Sequence, residues 1–225
     1  MSNVGFRIVT AIKRPKKELI EKFRGIPVAN IGDVMNRNYC LDARIRPINS
    51  ILLLGTAFTV KTRPGDNLLL HKAIDMAAPG DIIVVDGQGD LTNSLIGELM
   101  ISWAQQRGVS GFIIDGAIRD VTALRSMSIP VYTAGITPKG PYKDGPGEIN
   151  VTITCGGVVV KPGDILVGDA DSVIVIDPND APAILKRAEE KAAQETVTKE
   201  AIKNGTWNRS WVDKALKEKG CEFIN

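Results

Sequence analysis

Histidine and cysteine are scarce in this 225-residue chain, which has one of the first, His71, and three of the second, Cys40, Cys155 and Cys221. A lone histidine cannot build a catalytic zinc site of two or more histidines. Three cysteines without C-x-x-C spacing suggest neither a disulfide framework nor a thiolate zinc site. The thiols are therefore read as reduced packing groups, and His71 as a packing or hydrogen-bonding residue. An excess of one charge is missing too: 28 lysines and arginines stand against 26 acidic residues, for a net charge of +2. These charges are interspersed, which gives no electrostatic footprint for nucleic acid or a membrane surface.

Long apolar runs are also absent. The longest aliphatic run, Ile51 to Leu54, falls far short of the roughly 20 residues that cross a bilayer. The opening MSNVGFRIVTAIKRPKKELIEKF has no uninterrupted apolar segment of the kind a secretory leader needs. The expectation is a cytoplasmic protein.

What is present reads as α/β. Its 44% hydrophobic content is enough for one sizeable core. Short helices are expected over 16–24, ended by Gly25, and over VANIGDVMNR after Pro27. AFTVK at 57–61 reads as a strand, NLLLHKAIDMA at 67–77 as a helix with Asn67 at its N-cap, and IIVVD at 82–86 as a buried strand. The alternation repeats with a helix from Asn93 to Arg107, a strand GFIID at 111–115, a short helix from Asp120 to Met127 and a strand PVYTA at 130–134. Beyond Gly135 the short segments INVTIT, VVVK, ILVGD and SVIVID predict a second, mainly antiparallel layer. A long helix from Asp180 to Asn204 and an amphipathic one after Gly205 close the chain. The boundaries are a single domain over 1–178 and a helical extension over 179–225 that packs on a neighbouring subunit. Trp207 and Trp211, four apart in that extension, are assigned to packing. PGD recurs at 64–66, 79–81 and 162–164, and is read as turn chemistry, with Pro presetting one angle and Gly accepting positive φ.

Candidate chemistry gathers at the carboxyl ends of two adjacent strands, where α/β sheets bind ligands. Gly87 and Gly89 allow a tight turn after the first, and the segment from Gly97 to Met100 offers amide N–H groups to an anion such as a carboxylate. The second delivers Arg119 and Asp120, an oxygen-directed guanidinium beside a hard-cation ligand. Plainer roles compete: Gly97 as a close-packing residue, Glu98 as a solvated charge, Asp120 as a helix-start carboxylate and Arg119 as a surface cation. Lys139 and Lys143 are nominal Schiff-base candidates in a turn-rich loop. The G-x-G at 87–89 lacks the rest of a dinucleotide fingerprint.

GELM at 97–100, RD at 119–120 and PVYTAGITPKGPYKDGPGEINVTITCGGVVVKPGDILVGDADSVIVID together resemble the family that holds 4-hydroxy-4-methyl-2-oxoglutarate aldolase and the regulator of ribonuclease activity A, the RraA-like proteins. The resemblance covers about residues 25–178. It implies an α/β fold of the β/β/α swivelling type with extended C-terminal helices, assembled as a homotrimer or homohexamer with sites between subunits. It further implies Mg²⁺ or Mn²⁺ held by Asp120, partly through waters, Arg119 on the keto oxygen of a 2-oxo acid, and its carboxylate on the amides of Gly97, Glu98, Leu99 and Met100. A glutamate from a neighbour's C-terminal helix, Glu195 or else Glu200, would complete the site. The implied activity is a metal-dependent lyase that cleaves 4-hydroxy-4-methyl-2-oxoglutarate or 4-carboxy-4-hydroxy-2-oxoadipate to pyruvate and decarboxylates oxaloacetate. The alternative is a non-catalytic regulator that binds an endoribonuclease. A third reading, methyl transfer to a quinone precursor, lacks a visible methyl-donor pocket. Ser172 stands where the family usually has glycine.

Overall fold

The computed structural model describes residues 3–224. It separates into two compact units, Met1–Ala188 and Glu189–Asn225. In the first, β3 (Leu53–Thr62), β4 (Asp81–Ile96), β5 (Gly111–Ile118) and β6 (Val131–Ile136) lie side by side and parallel. Their facing segments are almost wholly buried runs of Ile, Val and Phe, as expected of strands covered on both faces. β2 (Arg46–Pro47) closes one edge antiparallel to β6, and its proline suits an edge position. β7 (Gly147–Ile149) pairs antiparallel with the end of β3, and β1 (Phe6–Ile8) adds outside it.

One face of this sheet carries α3 (Leu68–Met76), α4 (Glu98–Gln106) and α5 (Val121–Leu124). Leu70, Ile74, Ile101 and Leu124 there pack on Phe58, Ile83, Phe112 and Ile114. The other face carries the hairpin of β8 (Ile153–Cys155) and β9 (Val158–Val160), which lays Ile153, Cys155 and Val160 over Ile82, Val84 and Ile113. Helices, sheet and hairpin form three layers, consistent with the expected β/β/α class. A third apolar group joins α1 (Lys17–Glu21), α2 (Val28–Val34) and the start of α6 (Ala181–Lys203) to β10 (Ile165–Gly168) and β11 (Val173–Ile176).

Two expectations need correction. The strands past Gly135 do not make a separate layer: β7 and β10 both hydrogen-bond to β3, β11 follows β10, and only β8–β9 stands apart. β3 is long enough to offer one end to β10 and the other to β7 along the same edge. The stretch from Asn93 also begins as strand. β4 runs through Ile96, and register shifts after Asp86, Asp90 and Ser94 let its sixteen residues pair with only eight of β5.

The three PGD turns behave alike in backbone. Asp66, Asp81 and Asp164 each donate N–H to the carbonyl three residues back, and Gly65, Gly80 and Gly163 all take positive φ, 72°, 95° and 95°. That combination needs glycine at the third turn position. Ser172 closes the 168–172 turn at φ 158°, with its hydroxyl on the Ile45 carbonyl.

The second unit comprises the later turns of α6 and α7 (Ser210–Glu218). No residue of α7 is buried, and Trp207, Trp211 and Phe223 are exposed.

Candidate active site

The candidate site lies where β4 and β5 end. β4 stops at Ile96, Gly97 turns the chain, and α4 begins at Glu98. Beside it β5 stops at Ile118, Arg119 donates its N–H to the Ile96 carbonyl at 3.0 Å, and Asp120 turns the chain into α5. That backbone bond fixes the two strand ends side by side, so the glycine-bearing turn and the Arg-Asp pair form one place.

Asp120 holds φ 60° and ψ 32°, the left-handed conformation that aspartate tolerates better than most residues. It occupies the N-cap position of α5 without capping it; instead its Oδ2 accepts the Glu98 N–H at 3.1 Å, across to the first residue of α4. Asp120 stands at the start of α5, as the plainer reading had it, but its side chain serves α4 and makes no cap bond to α5. Arg119 Nε stands 3.6 Å from the same Oδ2, with the two side chains 44% and 42% exposed. Gly97 is required by this approach: a Cβ there would collide with Asp120 Oδ2 and lie 3.0 Å from Arg119 Cγ.

The first turn of a helix leaves its N–H groups without intrahelical acceptors. In α4 the Glu98 N–H is spent on Asp120, so Gly97, Leu99 and Met100 supply the open donors, among the expected four, for an incoming anion. The Glu98 side chain is exposed and does not border the cavity, which leaves its contribution to the backbone. Leu99 and Met100 do border it, with Gly97, Arg119 and Asp120. The cavity, about 60 Å³, is small beside the roughly 300–1,000 Å³ of drug-sized sites, and suits the head of a small acid.

Five lining residues escaped sequence reasoning: Asn67, Ser94, Leu95, Ile96 and Pro141. Asn67 was expected to cap α3, but its amide nitrogen donates to the Leu95 carbonyl at 2.9 Å, and Asp66 Oδ1 accepts the Leu68 N–H at 3.0 Å. Asn67 Oδ1 is buried without a partner, a polar atom left over beside the cavity. Ser94 donates through both N–H and hydroxyl to the Lys139 carbonyl, at 2.8 and 2.9 Å, and this pins the loop that carries Pro141. Asp66, fully buried, holds the other end of that loop by accepting the N–H groups of Asp144 and Gly145 at 2.7 and 2.9 Å. Only the odd polar residues inside an apolar stretch hinted at these roles.

Lys139 and Lys143 are exposed and do not line the cavity, and neither does His71, whose pKa is lowered by partial burial and by Lys143. Glu195 and Glu200 lie on α6 within the second unit, Glu195 half-buried and Glu200 exposed.

Residues 28–175 match the RraA-like family, described as Aldolase/RraA. The chain belongs to that family. Among relatives of this RraA-like protein, one from Halalkalibacterium halodurans, named "Putative 4-hydroxy-4-methyl-2-oxoglutarate aldolase", is 38% identical over 201 residues, 88% of this chain and 96% of its own. The solved structure of the RNA-processing inhibitor RraA from Thermus thermophilis is 28% identical with a TM-score of 0.62, covering 67% of this chain and 92% of that one. RraAS2 of Streptomyces coelicolor, an unusual member of the RNase ES inhibitor RraA family, superposes at a TM-score of 0.77 with 23% identity, over 84% of this chain and 99% of the other. That last likeness speaks for the fold.

Among the described residues no helix is long and apolar enough to cross a membrane. Among the same described residues, no group of three or more His, Cys, Asp or Glu side chains converges on a metal position. Mg²⁺ does not require one, because it keeps several waters and commonly takes one or two carboxylates plus substrate oxygens. A single exposed carboxylate whose contacts both run through Oδ2 fits that mode of binding.

Proposed function

We propose that this RraA-like protein is a divalent-metal-dependent carbon–carbon lyase. It would cleave a 4-hydroxy-2-oxo acid of the 4-hydroxy-4-methyl-2-oxoglutarate or 4-carboxy-4-hydroxy-2-oxoadipate type to pyruvate, and decarboxylate oxaloacetate. The observation that carries the reading is the convergence of Arg119, Asp120 and the open amides of Leu99 and Met100 on one small cavity. The name of the 38% identical relative supports it.

In this reading the substrate carboxylate takes the Leu99 and Met100 N–H groups, where the helix N-terminus favours negative charge. Arg119 donates to the 2-keto oxygen. When the C3–C4 bond breaks, its electron pair moves into C2–C3 and the keto oxygen becomes an enolate oxygen. In an aldol substrate the C4 hydroxyl gives its proton to a base, water or the neighbouring chain's glutamate, and C4 leaves as a carbonyl; in oxaloacetate C4 leaves as carbon dioxide. A proton delivered to C3 from water then gives pyruvate. Negative charge on the keto oxygen grows only as the bond breaks, so a guanidinium already in place favours the transition state over the ground state. Asp120 would hold Mg²⁺ or Mn²⁺, which when bound supplies Lewis-acid polarisation of the same keto group.

The test is oxaloacetate turnover with Mg²⁺ and with EDTA, wild type against Asp120→Ala, after subtraction of the metal-only background. The expected result is metal-dependent pyruvate release that falls about 10²-fold in the variant. Equal rates in both proteins, at background, would overturn the lyase and favour the family's other role, binding to an endoribonuclease.

A further inference from the structure

A second, larger cavity of about 480 Å³ lies away from the candidate active site, between α2, the β9–β10 turn and the head of α6. Its size falls in the range of small-molecule sites. It is bordered by Asp164, which is 5% exposed, and by the apolar side chains of Met35, Val175 and Ile184.

The chain itself shows what Asp164 lacks. Ala78-Pro79-Gly80-Asp81 and Lys161-Pro162-Gly163-Asp164 are the same turn: glycine at φ 95°, and the aspartate Oδ2 accepting the N–H three residues back at 2.8 Å in both. Each aspartate then starts a strand or stands just before one. In the first turn the carboxylate also takes a guanidinium in a bidentate pair, Arg14 Nε to Oδ1 at 2.8 Å and Nη2 to Oδ2 at 2.7 Å. In the second no guanidinium or ammonium comes within ion-pair distance among the described residues, since Lys161 is spent on Asp177 at 3.3 Å. Asp81 thus faces Arg14, whereas Asp164 borders the cavity, as Lys161 does. A carboxylate this deeply buried is costly unless it is paired. Burial accordingly pushes the Asp164 pKa up and Asp177 adds to the rise, while the Lys161 N–H and the Lys161 charge offset part of it.

We propose that this cavity is a binding site for a small organic cation, a guanidinium- or ammonium-headed compound with a short methylene body. The head occupies against Asp164 the place that Arg14 occupies against Asp81, and the body lies along Met35, Val175 and Ile184. Ala183, Ile184 and Arg187 of α6 border the cavity at helical spacing. Arg187 forms no ion pair among the described residues and is available to a carboxylate at the far end of such a ligand.

The probes are n-butylguanidinium, which carries the head alone, and arginine, which adds an α-ammonium and a carboxylate; both are titrated calorimetrically into the full chain, with n-butanol as the uncharged control. Asp164→Asn keeps an oxygen for the Lys161 N–H but removes the charge, while Ala183→Trp fills the cavity from an exposed helical position. The expected result is one molecule of either cation per chain with a Kd of about 1 mM or tighter, weakened at least about tenfold in each variant. Oxaloacetate turnover, if present, stays unchanged in both, so the readout is independent of the lyase reading. No heat from either cation at about 10 mM, equal binding of butanol, or binding that survives in either variant overturns the proposal.

Discussion

At the scale of single residues, the site turns on a glycine that does not need its conformational freedom. Gly97 is extended, and what forbids a side chain is the carboxylate of Asp120 packed against its Cα. Gly97→Ala must push Asp120 and Arg119 away, and a displacement of about 1 Å at reacting groups costs on the order of 10²-fold in rate. The expectation is that loss in kcat for oxaloacetate, with a circular-dichroism melting curve close to wild type because both displaced side chains are half-exposed. A large drop in melting temperature with turnover intact would show instead that Gly97 serves packing. The Arg119–Asp120 pair was legible in the sequence, as was the Gly97–Met100 segment. The use of the Glu98 N–H by Asp120 was not, because it joins residues 22 apart through two strand ends whose alignment the local pattern does not contain.

At the scale of elements, periodicity located the helices and the central strands, but it missed the short edge strands β1 and β2, read β7 and β8 as one segment, and missed where β4 gave way to α4. Asn93 to Ile96 alternates in a way that also fits a helix face, and only pairing with β5 makes it strand. The sharing of β3 between β10 and β7 is likewise a long-range fact, invisible to windows a dozen residues wide. The loop over the site depends on one buried carboxylate. Burial alone would raise the Asp66 pKa, but the N–H groups of Leu68, Asp144 and Gly145 together with Arg63 outweigh it, and the net shift is downward. A depressed carboxylate stabilises the fold above its unfolded pKa of about 3.9, and the contribution disappears as pH falls through the lower folded value. Asp66→Ala leaves those three amides without an acceptor and is expected to cost about 3 kcal/mol at neutral pH by urea denaturation. The gap between variant and wild type should narrow below about pH 4. A gap that stays constant down to pH 2 would assign the loss to packing alone.

At the scale of the molecule, the site of a single chain is open. Arg119 and Asp120 are each more than two-fifths exposed, and Leu99 at the rim is 83% exposed. In contact with water a guanidinium's hold on a developing oxyanion is weakened several-fold relative to a covered site. The exposed apolar side chains of the C-terminal unit, Val197, Ile202 and Trp211, are surface of the kind a neighbouring subunit covers. If a ring of identical chains closes each site with a glutamate from the next chain's α6, the two contributions can be separated by mixing. Asp120→Ala removes the first chain's part, and Glu195→Gln, or Glu200→Gln if the former is active, removes the second's. Each variant alone should be inactive towards a 4-hydroxy-2-oxo acid. Co-refolded in equal amounts, one junction in four pairs an intact Asp120 with an intact glutamate, so about a quarter of wild-type turnover should return. No recovery from a mixture shown by mass to contain both chains would place all the catalytic groups within one chain. In that case a second copy that covers the exposed site contributes no catalytic glutamate to it.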